Sequence, residues 1–156
     1  MTALGTAASF LAGTHGILVN RATASLPATT TASLFTISTG RILLTSIVGE
    51  VTTVIQTQAD NTKLQFDPTD AGATQDLCAV LDITADAVGT MYSITGTPGT
   101  AMQDSLNFVS ADKMLARPMI LKPGAILLNC AATNTGAVKW SLTYVPIDQG
   151  AAVAAA

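Results

Sequence analysis

The strongest constraint on the fold lies near the end of the chain, in Ala137–Val145. Val138, Trp140, Leu142 and Tyr144 fall on one side of a two-residue repeat, and Lys139, Ser141 and Thr143 on the other. An extended strand with one buried face is the element that separates these two sets. Pro146 then closes the run, because proline donates no ladder hydrogen bond. A chain containing such a strand needs other strands to pair with it and a second layer to cover its apolar face.

The remaining sequence supplies candidates. After Gly40 comes RILLTSIVGEVTTVIQTQ, rich in Ile, Val and Thr, which suit a pleated, half-buried surface. Alternate residues give a face of Leu43, Thr45, Ile47, Gly49, Val51, Thr53 and Ile55, interrupted at the glycine. The run reads as one long bent strand, or as two strands meeting near Gly49, since an internal glycine often marks a bulge. Residues 125–132 read as a strand, and the turn Thr133–Gly136 should join it to the last strand as an antiparallel hairpin. Further strands are expected at Ile17–Leu26, Ser33–Ser38, Lys63–Phe66, Leu77–Ile83, Met91–Thr95, Leu106–Val109 and Met119–Leu121. A short helix is expected near Asp112–Ala116. Pro- and Gly-containing turns separate these runs, and no βαβ pattern occurs. The expected fold is all-β: an antiparallel β-sandwich or jelly-roll-like single domain.

A chain of 156 residues fits one domain. Residues 1–16 read as a flexible N-terminal arm of small residues, 17–147 as the β-sandwich domain, and 148–156 as a disordered Ala-rich tail. The first twenty residues hold no Lys, Arg, Asp or Glu. They lack the positive region of a secretory signal, and glycines break their apolar run. No stretch is apolar enough for a membrane span, so no membrane partner is expected.

Charged residues make up only 11% of the chain, against about 25% in an average soluble domain. There are 26 Ala and 24 Thr but one Glu and one His. Seven Lys and Arg, scattered singly, make no phosphate footprint, which argues against a nucleic-acid partner. The surface must instead be mostly Thr, Ser, Ala, Gln and Asn. Charge is depleted at the cores of protein interfaces, so a homo-oligomer or larger assembly is expected. Phe10, Leu11 and His15 in the arm are the candidate contacts.

Little in the sequence carries chemistry. His15 is the single histidine and has no Gly-x-Ser-x-Gly nucleophile to serve. Glu50, inside an apolar run, reads as a structural ion-pair partner of Arg41 or Arg21, or as an interface contact. Asp67 and Asp70, with Asp60 and Asp76, form the best acidic cluster. They lack the spacing of a calcium loop and read as a solvated turn. Asp82 and Asp86 read as a strand end and turn. Cys78 and Cys130 sit in apolar runs without redox or metal spacing and read as buried thiols, with a disulfide as the alternative. Trp140 and Tyr144 read as core, with a ligand-facing sheet as the alternative. No catalytic residue, cofactor or metal is expected, and the chain is not expected to be an enzyme.

Five stretches carry a resemblance: Leu18–Ala24, Leu34–Ile37, Gly40–Leu44, Gly49–Gln56 and Leu77–Ile83. In pattern and composition they are similar to small structural proteins of tailed bacteriophages, described as capsid decoration, cement or head-fibre proteins. The resemblance spans roughly residues 17–145 and includes no diagnostic short motif. It implies a β-rich virion protein, often a homotrimer, made in the host cytoplasm. Such a protein binds the major capsid protein on the outside of the assembled shell and stabilises it. The alternative is a phage tail or fibre module recognising a cell-surface ligand.

Overall fold

The computed structural model describes residues 16–105 and 115–156. Among the described residues twelve strands are formed and no helix occurs. They are β1 (Ile17–Ser25), β2 (Thr31–Ser38), β3 (Ile42–Thr53), β4 (Asn61–Pro68), β5 (Gln75–Asp76), β6 (Leu81–Asp82), β7 (Met91–Ser93), β8 (Gln103–Ser105), β9 (Met119–Leu121), β10 (Gly124–Cys130), β11 (Ala137–Pro146) and β12 (Ala152–Ala155). The first sheet runs β1-β11-β3-β7-β8, with β9 also on β3; the second runs β12-β2-β10-β4-β5, with β6 also on β4. All ladders between these strands are antiparallel. The two sheets pack face to face, so the expected all-β antiparallel sandwich is the fold.

One core lies between the sheets. The first contributes Ile42, Leu44, Ile47, Val51, Tyr92, Val138, Trp140, Leu142 and Tyr144, and the second Leu34, Phe35, Ile37, Leu64, Phe66, Ile126 and Leu128. Trp140 is 1% exposed. The ligand-facing alternative for Trp140 and Tyr144 is therefore overturned.

The long strand β3 is continuous, and Gly49 is not its bulge. Trp140, Gly49 and Tyr92 stand side by side on three neighbouring strands. A Cβ at Gly49 would lie 2.9 Å from the Trp140 ring. The missing side chain lets the Trp140 and Tyr92 rings stack above it, with centroids 6.4 Å apart. The register shifts against β11 occur instead at Thr45 and Thr52. Each threonine hydroxyl donates to a β11 carbonyl, Thr45 to Thr143 at 3.0 Å and Thr52 to Ala137 at 3.2 Å. The bulge at Thr45 switches the inward set from Ile42 and Leu44 to Ile47, Gly49 and Val51. Both alternating faces of the sequence thus serve the core, on different segments.

Two other expectations are corrected. Strands β10 and β11 do not form a hairpin: β10 pairs with β2 and β4, whereas β11 pairs with β1 and β3. Residues 131–136 arch from one sheet to the other. The arch is held by Asn134 donating to the Gln58 carbonyl at 2.8 Å and by Thr133 bonded to Thr29 at 2.7 Å. Alternation reports one buried face and is blind to which sheet owns it. The disordered tail is also overturned, because Ala152–Ala155 pairs with Ser38–Phe35 of β2. A ladder uses main-chain groups only, so alanines with little apolar surface still dock there.

Of the strand expected at Leu77–Ile83 only the two-residue β6 forms; β5 lies just before that stretch, and both pair with β4. Leu77 and Cys78 turn into the core between them. The strand expected at Leu106–Val109 and most of the helix expected at Asp112–Ala116 lie outside the described residues.

Candidate functional site

The two long flanks of the sandwich are built differently. On one, β1 and β12 bring the two sheets together. Val153 N–H donates to the Tyr144 hydroxyl at 3.3 Å, and Arg21 Nε donates to the Ala156 carbonyl at 3.2 Å. The connection leading to β12 is clasped by Arg41. Its guanidinium meets the Asp148 carboxylate in a two-point pair at 2.8 and 2.9 Å, and its backbone N–H donates to the same carboxylate at 2.8 Å. This holds the Asp148 carboxyl down at about 2. Gly40 is required here, since a Cβ would lie 2.7 Å from that of Asp148.

On the other flank the sheet edges are short pieces, and a cleft of about 500 Å³ opens between them. Its apolar lining comes from Phe66, Leu77, Pro98, Met119, Ile120 and Leu121. Ile120 is 63% exposed although it lies on a strand. The charged groups around it are already matched. Lys122 is paired with Asp70, and Asp76 accepts from Lys63 and Gln65 at 2.8 Å each. These bonds hold the Asp70 and Asp76 carboxyls below the usual range. Arg41, at the cleft's rim, is committed to Asp148. Apolar walls with cancelled charge suit an uncharged, apolar occupant.

The outer faces of the sheets carry the same neutrality. One row of the second sheet reads Ala154, Thr36, Ala125, Asp67, and one row of the first reads Asn20, Ser141, Val48 and then Ser93, which is buried. Glu50 is paired across strands with Lys139 at 2.8 Å, and not with Arg41 or Arg21 as expected. The two are register partners on β3 and β11, a neighbour relation that only the strand order reveals.

The acidic cluster is dispersed. Asp67 accepts from Thr74 at 2.8 Å, Asp70 and Asp76 hold their lysines, and Asp60 is fully buried, accepting from the Ala132 N–H at 3.0 Å. Among the described residues, no group of three or more His, Cys, Asp or Glu is placed to hold a metal. Asp82 caps its turn through Thr84 at 2.6 Å. Asp86 accepts from the Tyr92 hydroxyl at 2.6 Å, and its burial raises its pKa despite that bond. Cys78 and Cys130 are free, buried thiols, pushed by burial up to about 11 and about 12. At neutral pH both are protonated and weakly nucleophilic. Phe10, Leu11 and His15 lie outside the described residues.

No protein-family model, curated protein or solved structure matches the chain. The cleft itself is missed by sequence reasoning. Its residues come from positions 41, 66, 75–77, 98 and 119–122, and only Ile120, an apolar residue on an outward position, gives a local signal.

Proposed function

We propose that this chain is a non-enzymatic virion structural protein that binds the outside of an assembled bacteriophage capsid and stabilises it. Its partner is the major capsid protein, and it acts as a homo-oligomer, a trimer by preference. The observation that carries this reading is the character of the sheet faces. They are rows rich in Thr, Ser, Ala and Asn with few charges, of which Lys63–Asp76 and Glu50–Lys139 are cancelled in pairs and Asp67 is held by the Thr74 hydroxyl. Such faces have little charge to desolvate on contact with protein. The resemblance of residues 17–145 to phage decoration and cement proteins points the same way. A protein that binds the assembled shell and not its free subunits stabilises the shell by mass action, and many copies on one lattice act together.

Co-sedimentation of the purified chain with intact capsids tests the proposal. Saturable binding at a fixed ratio to capsid subunits, with a raised melting temperature of the shell, is the expected result. Light scattering over a concentration series should give three times 15.9 kDa. Absence of capsid binding would overturn the reading and leave the tail or fibre alternative.

A further inference from the structure

We infer that β9 is a docking edge: an extended, uncharged segment of the capsid protein adds to the first sheet as a strand on β9 and drops apolar side chains into the cleft. This rests on the capsid reading and gives it a site. Three observations converge on this occupant. The first is an open ladder. β9 pairs with β3 on one side, and among the described residues no main-chain bond reaches its other edge. An edge strand turns half of its N–H and C=O groups outward, a template for one more strand. Such a row of main-chain groups is matched by a polypeptide and not by a small molecule.

The second is what lies beside the edge. Met119 and Leu121 are register partners of the core residues Leu44 and Ile42, and Ile120 is the partner of Leu43. Ile120 therefore faces outward, where it is exposed, while its two neighbours face the second sheet. A strand added on β9 follows the same pleat. One of its residues lies beside Ile120 on the outer face. The residues before and after it point into the cleft, towards Phe66, Leu77 and Pro98.

The third is charge and access. Met119, Ile120 and Leu121 carry no charge, whereas the other short edges β5, β6 and β8 carry Asp76, Asp82 and Asp104. At the cleft's rim, Arg41 and Lys122 are already paired. A charged segment would bring an unpartnered ion into this cleft, and a neutral one does not. The edges on the opposite flank are less open. β1 is broken by a register shift between Arg21 and Ala24, and the Val153 N–H of β12 is held by the Tyr144 hydroxyl.

The experiment is co-sedimentation with intact capsids of the full chain, of Ile120→Lys and of the control Leu18→Lys. Both side chains are exposed, on opposite flanks, so neither change costs the fold much. A lysine on an edge strand resists further pairing. Ile120→Lys should weaken shell binding about tenfold or more, and Leu18→Lys should leave it nearly unchanged. Amide exchange should show protection at Met119–Leu121 in the shell-bound protein that the free protein lacks. Undiminished binding by Ile120→Lys, equal losses with both lysines, or no new protection at β9 would each overturn the inference while the capsid reading stands. Protection of β9 already present in the free protein at high concentration would also overturn it, making a second copy the occupant. Failure of the unaltered chain to bind shells would instead remove the capsid reading, and this inference with it.

Discussion

One flank of this sandwich is sealed and the other is split, yet both are made from strands of similarly low charge. On the sealed flank the sheets exchange hydrogen bonds through Tyr144 and Arg21, and an ion pair clasps the connection to β12. On the split flank, β3 and β4 each meet two short strands instead of one long one, and the gap between the edges is the cleft. The difference teaches that edge protection here does not come from charge, the usual device. It comes from polar tips reaching across between sheets, and where no tip reaches across, an apolar surface is left open. Within the first sheet, the Trp140–Tyr92 stack over Gly49 bridges the strands on either side of β3.

That comparison can be broken most severely at the stack. Trp140→Ala should cost about 3–5 kcal/mol and loosen both flanks together; urea unfolding followed by amide exchange at β7 and β12 would show it. A loss confined to one flank would mean that the rings do not couple them. Gly49→Ala should cost about 1–3 kcal/mol, because the new methyl must displace the Trp140 ring, and a cost near zero would show the ring free to move. Tyr144→Phe removes the bond to Val153 and should cost about 1 kcal/mol. Its exchange signature should be confined to 152–155, with Met119–Leu121 unchanged. Ile120→Lys on the split flank should change stability by less than about 0.5 kcal/mol, as thermal unfolding would show, since that side chain packs little.

The gentlest probe is acid. Asp148 sits at about 2 when folded, below the unfolded value of about 3.9. Its pair with Arg41 therefore stabilises the fold fully above about pH 4 and stops doing so as pH falls from about 4 to 2. The pair is solvent-exposed, so the effect is small. It should appear as loosening of 147–156 before the core melts, followed by amide protection corrected for intrinsic exchange. Uniform loosening of the whole sandwich would show that the clasp is not a separate unit.

Fold class was legible because alternation in β11 and β-branched density in β3 are direct consequences of a half-buried pleat. Sheet membership was not. Strands β10 and β11 show the same alternation whether they face each other in one sheet or across the core in two. Gly49 was legible as unusual, but its reason, a tryptophan on the neighbouring strand, is a long-range fact. The bulges at Thr45 and Thr52 hid among 24 threonines. The last strand was invisible because alanine carries almost no pattern, and a main-chain ladder needs none. The cleft could not be read at all, being assembled from five separated segments. The neutrality of the surface, by contrast, followed from composition alone.

The pairing of β11 with both β1 and β3 has a temporal consequence. During synthesis, β1 and β3 emerge more than eighty residues before their shared partner. Until Ala137–Pro146 is made, the first sheet lacks the strand that joins β1 to β3, so β1 has no ladder and β3 has partners on one side only. Folding of the first sheet must wait for Ala137–Pro146 and then close long loops, which places it among slow, millisecond-to-second folders. Nascent copies crowded on one message would be exposed to mispairing through that interval.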